Sequence, residues 1–371
     1  MDFDFSDEQL QLREAVARWV EKAYPFERRR SIVAAGGFSP EAYGELAELG
    51  LTGLAVPESH GGLGMGPVEA MVVMEELGQG LVLEPLSQTL MASQLLASLD
   101  SPAQQARWLP AVASGQALLS LAWQERGGRY RAEACQTQAQ PQGAGHVLSG
   151  TKSLVTAGTH AAAFIVSARL AGRLALFLVD TGAAGLSVHG YGLQDGACAA
   201  ELQLKATPAE LLSADALEAL THALDLGAAC ACAEGVGAMT RSLALTTEYM
   251  NQRRQFGVPI ASFQALRHRV ADMKMQLELG RSMSYYAWLK LQAPAAERRR
   301  AVSRAKVQLG QSMRLVGQQS VQLHGGIGVT DEYLISHYFK KLTQLEMSFG
   351  DTLYHLGQVS EGMQETAGVF A

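Results

Sequence analysis

The stretch Arg253-Arg254-Gln255-Phe256-Gly257 follows one long helix-like run and precedes a second that begins near Phe263. Its arginines offer forked donors that suit a phosphate, and its glycine permits a tight turn. The helix that follows adds free backbone N–H groups at its start. The stretch therefore predicts a loop that grips a pyrophosphate. A solvated arginine-rich turn is the alternative from local sequence alone.

A second candidate segment is Gln322-Leu323-His324-Gly325-Gly326-Ile327-Gly328, where a helix end breaks into three glycines within four residues. Glycine lets the backbone approach a flat ligand closely, and the nearby glutamine can hydrogen-bond such a ligand. An ordinary helix stop, with the next helix capped at Thr330, would have the same local sequence. We interpret His324 by itself as a packed core histidine rather than a catalyst.

Outside these segments the chain has the order helices, strands, helices. Residues 1–116 are largely helical, with Ser6 as a predicted N-cap, helical runs over 38–51 and 67–79, and a glycine-rich loop over 56–64. Residues 117–213 read as a small β-domain, and residues 214–371 return to a helical period. We predict an α+β fold, mainly α, with these three regions as domains.

The individual runs support this division. Predicted strands cover 118–123, 146–149, 163–168, 174–179 and 200–204, and predicted helices of a C-terminal bundle cover 228–249, 263–291, 295–323 and 331–350. No crossover helices link the strands, so a doubly wound nucleotide-binding fold is disfavoured.

Composition excludes several classes of protein. The net charge is −6 and the basic residues are scattered, so the sequence lacks the clustered basic patch of a nucleic-acid-binding protein. The four cysteines form no CxxC pair, so we predict buried, reduced thiols and no metal site. An N-terminus with Asp2, Asp4, Asp7 and Glu8 does not read as a secretory signal, which predicts a cytoplasmic protein. The stretch 217–245 is apolar but carries charges, which favours a buried helix over a membrane span.

Taken together, the two candidate segments, their order and their spacing resemble the acyl-CoA dehydrogenase family. The resemblance extends to the N-terminal helix, the loop over 56–64, the Gly150-Thr151-Lys152 strand entry and the stretch 263–273. It implies a helical domain, a central small β-barrel or sandwich and a C-terminal four-helix bundle. It further implies FAD held between the β-domain and the bundle, in a dimer or tetramer whose subunits grip each other's FAD.

Carried over by motif position, the resemblance assigns cofactor contacts to this chain. Arg253 and Gln255 would contact the FAD pyrophosphate, with Phe256 packing beside it and Gln264 in the same set. The glycine segment would line the adenine and ribose end of the FAD bound by the neighbouring subunit. Its contacts there would come from Gln322, Gly325 and Gly326. Thr156 would lie near the isoalloxazine ring.

The chemistry that the resemblance implies is α,β-dehydrogenation of an acyl-CoA thioester in fatty acid metabolism, with electrons passed to an electron-transfer flavoprotein. It needs a carboxylate base for the α-proton, while the flavin does the redox work. The usual glutamate position corresponds to Phe349, and the alternative position, after Leu224-Asp225-Leu226, is Gly227. We therefore predict Asp351 as the base, with Glu346 as the second choice.

The β-domain also departs from the family pattern. The family's Thr-Glu-Pro-Gly-x-Gly-Ser-Asp stretch corresponds to 124–131, where Arg126, Arg129 and Arg131 are new, and a flavin-packing tryptophan is replaced by Leu154. One explanation is a catalytic subunit whose arginines meet an acidic group of the substrate. A second is a base-less partner of a heteromeric dehydrogenase, since pimeloyl-CoA dehydrogenase small subunits resemble this sequence. A flavin oxidase or monooxygenase on the same fold is the third.

Overall fold

The computed structural model describes residues 5–143 and 145–367, so Asp2 and Asp4 of the acidic N-terminus lie outside the described residues. The chain divides into two compact units. The first comprises Met1–Arg29, Pro67–Val82 and Ala228–Ala371, and the second comprises Arg30–Gly66 and Leu83–Gly227.

Helices dominate both ends of the chain, as predicted. In chain order they are α1 (Asp7–Ala23), α2 (Phe26–Ala34), α3 (Pro40–Glu48), α4 (Pro67–Gln79), α5 (Leu86–Ser98), α6 (Pro102–Ala113), α7 (Leu217–Gln252), α8 (Gln264–Leu289), α9 (Ala295–His324), α10 (Leu334–Met347) and α11 (Thr352–Ala367). The predicted cap is confirmed, because the Ser6 side chain accepts from the Gln9 backbone N–H in a reciprocal capping box.

Glycines permit a close helix crossing in the first unit. A Cβ atom on Gly237 of α7 would overlap the carbonyl oxygen of Glu75 on α4, and one on Gly78 would overlap that of Glu234. The backbones of α4 and α7 therefore touch at two points that admit no side chain. This contact fixes α7, whose C-terminal end leads into the Arg253 stretch.

The C-terminal bundle differs from prediction in its last part. The predicted helix over 331–350 begins only at Leu334, after a five-residue 3₁₀ turn at Gly325–Val329, and ends at Met347. A further helix, α11, follows after Phe349 and Gly350, both of which have positive φ angles. The break between α10 and α11 creates a short loop in the region where we predicted the base.

The second unit contains a closed barrel. Its strands are β1 (Leu119–Ala122), β2 (Gln138–Gln142), β3 (Gly145–Thr156), β4 (Ala163–Leu170), β5 (Arg173–Asp180), β6 (Leu186–Gly192) and β7 (Cys198–Ser213). Pairings of β4 with β2, β2 with β3, β3 with β7, β7 with β5 and β5 with β4 close a five-stranded ring. Phe164, Val166, Phe177 and Leu202 lie in its fully buried core.

Two of these strands were absent from the sequence prediction. Four of the five β2 residues are exposed, and β6 is polar or glycine-rich with no fully buried residue. In β2 this leaves no apolar alternation, and in β6 the alternation is limited to Leu186 and Val188, which pack against the barrel core. The four cysteines are buried and free, as predicted. Within residues 5–143 and 145–367, no helix has the length and hydropathy needed to cross a membrane.

Candidate functional site

The Arg253 stretch is a projecting β-hairpin rather than a simple turn. Strands β8 (Arg254–Gln255) and β9 (Val258–Pro259) pair across Phe256 and Gly257, whose φ angles are 55° and 81°. Two positive φ angles are the requirement of a tight two-residue hairpin. Phe256 at the tip is 91% exposed and touches Phe263 edge-on, with ring centroids 6.1 Å apart. The hairpin thus presents an aromatic ring to solvent.

Polar groups on and beside the hairpin remain open to a ligand. The Arg253 guanidinium makes no hydrogen bond or ion pair with any described residue, and the Gln255 amide donates only to the Arg254 carbonyl oxygen at 2.8 Å. Gln264 begins α8, whose first turn has no side-chain cap. An exposed arginine and an uncapped helix start are each physically suitable places for a phosphate.

The glycine segment lies next to the root of the hairpin. His324 stacks on Tyr249 with ring centroids 4.4 Å apart, and the Tyr249 carbonyl oxygen accepts the backbone N–H of Arg253. Gln322, Gly325 and Gly326 are exposed, and a Cβ built on either glycine meets no atom within 4 Å. The structure therefore brings the two predicted cofactor segments together and leaves open space over the glycines.

His324 is a core residue, as we interpreted it from sequence. It is buried, its Nδ1 lies 2.8 Å from the Ser320 carbonyl oxygen, and burial lowers its pKa. A neutral ring in this position donates from Nδ1, stacks on Tyr249 and meets Tyr333 at a tilt of 48°. His324 therefore positions the 3₁₀ turn that follows it at Gly325–Val329.

The loop between α10 and α11 is held by a buried lysine. Lys306 on α9 has no exposed surface, and its Nζ donates to the carbonyl oxygens of Leu345 at 2.8 Å, Glu346 at 3.0 Å and Ser348 at 2.8 Å. Burial lowers the pKa of Lys306 to about 8. The sequence alone did not identify Lys306 as a functional residue. The sequence feature that could have identified it is a single lysine on the apolar face of α9, among Ala301, Val302, Ala305 and Leu309.

Phe349, which by sequence count corresponds to the family glutamate, has a strained backbone conformation. Its φ angle is 57°, which is uncommon for a bulky residue. His355 supports it, because its Nε2 lies 3.1 Å from the Phe349 carbonyl oxygen while its Nδ1 faces the Ser303 hydroxyl at 3.1 Å. Burial, followed by the nearby Lys306 charge, lowers the pKa of His355 to about 3, so the ring is neutral.

Both carboxylates proposed as bases have structural partners. Glu346 Oε1 accepts the Thr352 backbone N–H at 3.1 Å and its hydroxyl at 2.6 Å, and faces Arg314 at 3.4 Å. Asp351 Oδ1 accepts the backbone N–H of Tyr354 at 2.8 Å, as an N-cap of α11. Their assignment as bases remains a prediction, and the geometry favours capping for both.

Thr156, the remaining predicted cofactor residue, belongs to the second unit. It ends β3, is half-buried, and its carbonyl oxygen accepts the Ser120 hydroxyl at 2.9 Å. Two residues earlier, Leu154 has a φ angle of 52° and is 46% exposed, and its backbone N–H donates to the Tyr191 hydroxyl at 3.1 Å. Leu154 and Tyr191 both line a pocket of about 360 Å³ in this unit.

Sequence comparison covers nearly the whole chain. Residues 6–116 match the family model for the acyl-CoA dehydrogenase N-terminal domain, residues 120–206 the middle domain and residues 217–364 the C-terminal domain. Acyl-CoA dehydrogenase IpdE2 of Mycobacterium tuberculosis is 31% identical over 338 residues, which cover 90% of this chain and 91% of that protein.

Solved structures show the same fold. The Tcur3481-Tcur3483 steroid ACAD variant superposes with a TM-score of 0.90 at 31% identity, covering 98% of this chain and 99% of the matched chain. The ChsE4-ChsE5 complex of Mycobacterium tuberculosis superposes with a TM-score of 0.91 at 27% identity, with the same coverage of both chains.

Proposed function

The chain belongs to the acyl-CoA dehydrogenase family of oxidoreductases, which act on CH–CH groups of acyl-CoA, and we propose that it is one subunit of an FAD-dependent heteromeric dehydrogenase. The observation that carries the proposal is Phe349. It stands where the family places its base, in a loop that Lys306 and His355 hold in place. A phenyl ring cannot accept a proton, so the base comes from an unlike partner chain.

The residues assigned to FAD fit an extended, phosphate-containing ligand. Arg253, Gln255 and Gln264 supply donors, Phe256 supplies an exposed ring, and the surface over Gly325 and Gly326 is open. We infer that these residues and Gln322 grip the pyrophosphate and adenosine of an FAD shared with the neighbouring subunit, and that Thr156 lies near a flavin ring. When bound, FAD would supply the hydride acceptor at this site, and an electron-transfer flavoprotein would be the partner that reoxidises it.

The partner of unlike sequence is supported by two further observations. Glu346 and Asp351 are both engaged as hydrogen-bond acceptors around the start of α11. Two similar structures are named for pairs of proteins, Tcur3481-Tcur3483 and ChsE4-ChsE5. We propose the same arrangement for this chain, in a dimer or tetramer of two kinds of subunit.

Arg253→Gln is expected to weaken FAD binding about 10- to 100-fold, because a charge-assisted phosphate contact contributes about 1.5–3 kcal/mol. Flavin fluorescence during titration of the assembled apoprotein with FAD measures the affinity. Arg300→Gln removes an exposed arginine from α9 and serves as the control. Equal affinities of the two variants would place the pyrophosphate elsewhere.

The isolated chain, supplied with FAD, is expected to leave the flavin oxidised when it is titrated anaerobically with a panel of acyl-CoA thioesters. Flavin absorbance is the readout. Bleaching by the wild type that Asp351→Asn abolishes would instead establish a self-sufficient enzyme with Asp351 as its base. Asparagine caps helices as well as aspartate does, so this variant keeps α11 intact while removing the base.

A further inference from the structure

A buried arginine joins α2 to α10 within the first unit. Arg29 on α2 is 1% exposed, and its Nε donates to the Leu81 carbonyl oxygen at 2.9 Å. Its Nη1 lies 3.1 Å from Nδ1 of His337 on α10. The Phe26 ring, also on α2, meets the His337 ring edge-on with ring centroids 5.0 Å apart. The guanidinium is therefore anchored beside the imidazole and cannot move away from it.

The partners of His337 permit only one protonation state. A guanidinium donates hydrogen bonds and never accepts them, so Nδ1 must present its lone pair to Arg29. The other ring nitrogen, Nε2, lies 2.9 Å from the Asp331 carbonyl oxygen, which only accepts. Nε2 therefore carries the single proton of a neutral ring. A second proton, on Nδ1, would bring two N–H groups against each other across 3.1 Å.

The surroundings of His337 act mainly against its protonation. The charged groups that act on it are Arg29 from α2, Lys340 from its own helix and Asp331 from the segment before α10. Burial lowers the pKa of His337 below its ordinary 6.5 and the two cations lower it further, while the hydrogen bond and the charge of Asp331 oppose them. Because the folded state has the lower pKa, the stability contributed by the neutral ring is complete above pH 6.5 and is lost as pH falls through the folded-state pKa.

The hydrogen bond to Asp331 carries the protonation state of His337 into the neighbouring segment. Residues 325–333, which we call the α9–α10 loop, join the two helices and include the 3₁₀ turn at Gly325–Val329. The loop is tied to α10 at Asp331, whose carbonyl oxygen meets His337 and whose carboxylate pairs with Lys340 at 2.6 Å. Only the first of these two attachments continues to α2, through Arg29. Protonation of His337 therefore removes the connection between the loop and α2.

We propose that Arg29, His337 and Asp331 form an acid-sensitive latch that holds the α9–α10 loop to α2. At neutral pH the imidazole bridges the buried guanidinium and the loop backbone. In acid the imidazolium is repelled by Arg29, so the ring turns away and the loop loses this attachment. Because Gly325 and Gly326 belong to the loop, acid also weakens the grip on FAD. That consequence rests on the proposed function, whereas the latch itself does not.

Amide hydrogen exchange over residues 325–333 at pH 7.5 and pH 5.0, with each rate divided by the intrinsic rate at that pH, tests the latch. Wild-type protection is expected to fall about fivefold or more, since each pH unit below the pKa reduces the neutral fraction about tenfold. His337→Gln offers a neutral acceptor and donor at every pH, so its protection should fall by less than about twofold. His189→Gln, which removes an exposed histidine from β6, is the control and should match the wild type.

Lys340→Gln provides a second test that leaves His337 in place. It removes one cation and frees the Asp331 carboxylate from its ion pair, and both changes favour the protonated ring. The pH at which half of the loop protection is lost should therefore move upwards.

Two results would overturn the latch: equal loss of protection in wild type and His337→Gln, or a midpoint that Lys340→Gln does not raise. FAD titration of the assembled apoprotein at the same two pH values separates the latch from the proposed function. The affinity of the wild type should fall more than that of His337→Gln. Equal affinity losses, together with the expected exchange, would leave the latch standing and show that the assignment of the loop to FAD is wrong.

Discussion

Replacing Lys152 with methionine is expected to lower the free energy of unfolding by about 3–5 kcal/mol, the usual cost of breaking a buried ion pair. Lys152 has no exposed surface, and its Nζ lies 2.7 Å from Glu125 Oε1 and 3.0 Å from the Ser167 hydroxyl. Methionine replaces the apolar part of the lysine side chain but supplies no donor. The Glu125 carboxylate, with a side chain 10% exposed, is then left without its counter-charge.

An exposed pair provides the control for this variant. Lys290 and Glu297 are also 2.7 Å apart, but their side chains are 38% and 48% exposed. Lys290→Met is therefore expected to change the free energy of unfolding far less than Lys152→Met does. Denaturant unfolding of both variants measures the difference. Similar losses would mean that burial does not determine the strength of the Lys152 pair.

The same variant has a defined dependence on pH. Lys152 and the hydrogen bonds to Glu125 lower the pKa of this carboxyl to about 2 from its ordinary 4.5, against the opposing effect of burial. A lowered folded-state pKa gives stability that is complete above pH 4.5 and is lost as pH falls towards 2. Wild-type stability should therefore fall more steeply than that of Lys152→Met in this window.

Lys306→Met is expected to reduce the free energy of unfolding by about 3 kcal/mol, because three carbonyl oxygens lose a charged donor. The loop that joins α10 to α11 should lose stability in addition to the protein as a whole. Amide hydrogen exchange should accelerate over the loop that joins α10 to α11. Lys274→Met is a suitable control, since Lys274 on α8 is 60% exposed. Unchanged exchange in the loop would show that His355 alone is sufficient to hold it.

The order of helices and strands could be predicted from the sequence, because the hydrophobic periodicity of a helix or strand lies within its own segment. The run 67–79 matched α4 at both ends, and 295–323 matched α9 to within one residue. Strands β2 and β6 were missed, although each pairs with the next strand along the chain, β3 and β7 respectively. The reason is their composition: β2 is mostly exposed, and only Leu186 and Val188 of β6 pack against the barrel core, so neither segment gives a clear periodic signal.

The candidate site could be predicted only in part, because sequence patterns carry local signals and not contacts between distant residues. The Arg253 and glycine segments each carry a local signal, and the structure places them side by side through Tyr249 and His324. The hairpin form of the first was not predicted, because phenylalanine at a positive φ is unusual. Lys306 acts on a loop about 40 residues further along the chain, a relationship that only the fold creates.

The closed ring of strands in the second unit also governs how the chain avoids unwanted association. Exposed strand edges are templates for pairing with other chains, and a closed barrel removes them. Among the described strands of this sheet, β1 and β6 are attached outside the ring and each pairs with one neighbour. One is only four residues long and fully buried, and the other is glycine-rich. Both are poor templates, so the barrel should resist edge-to-edge aggregation even at high protein concentration.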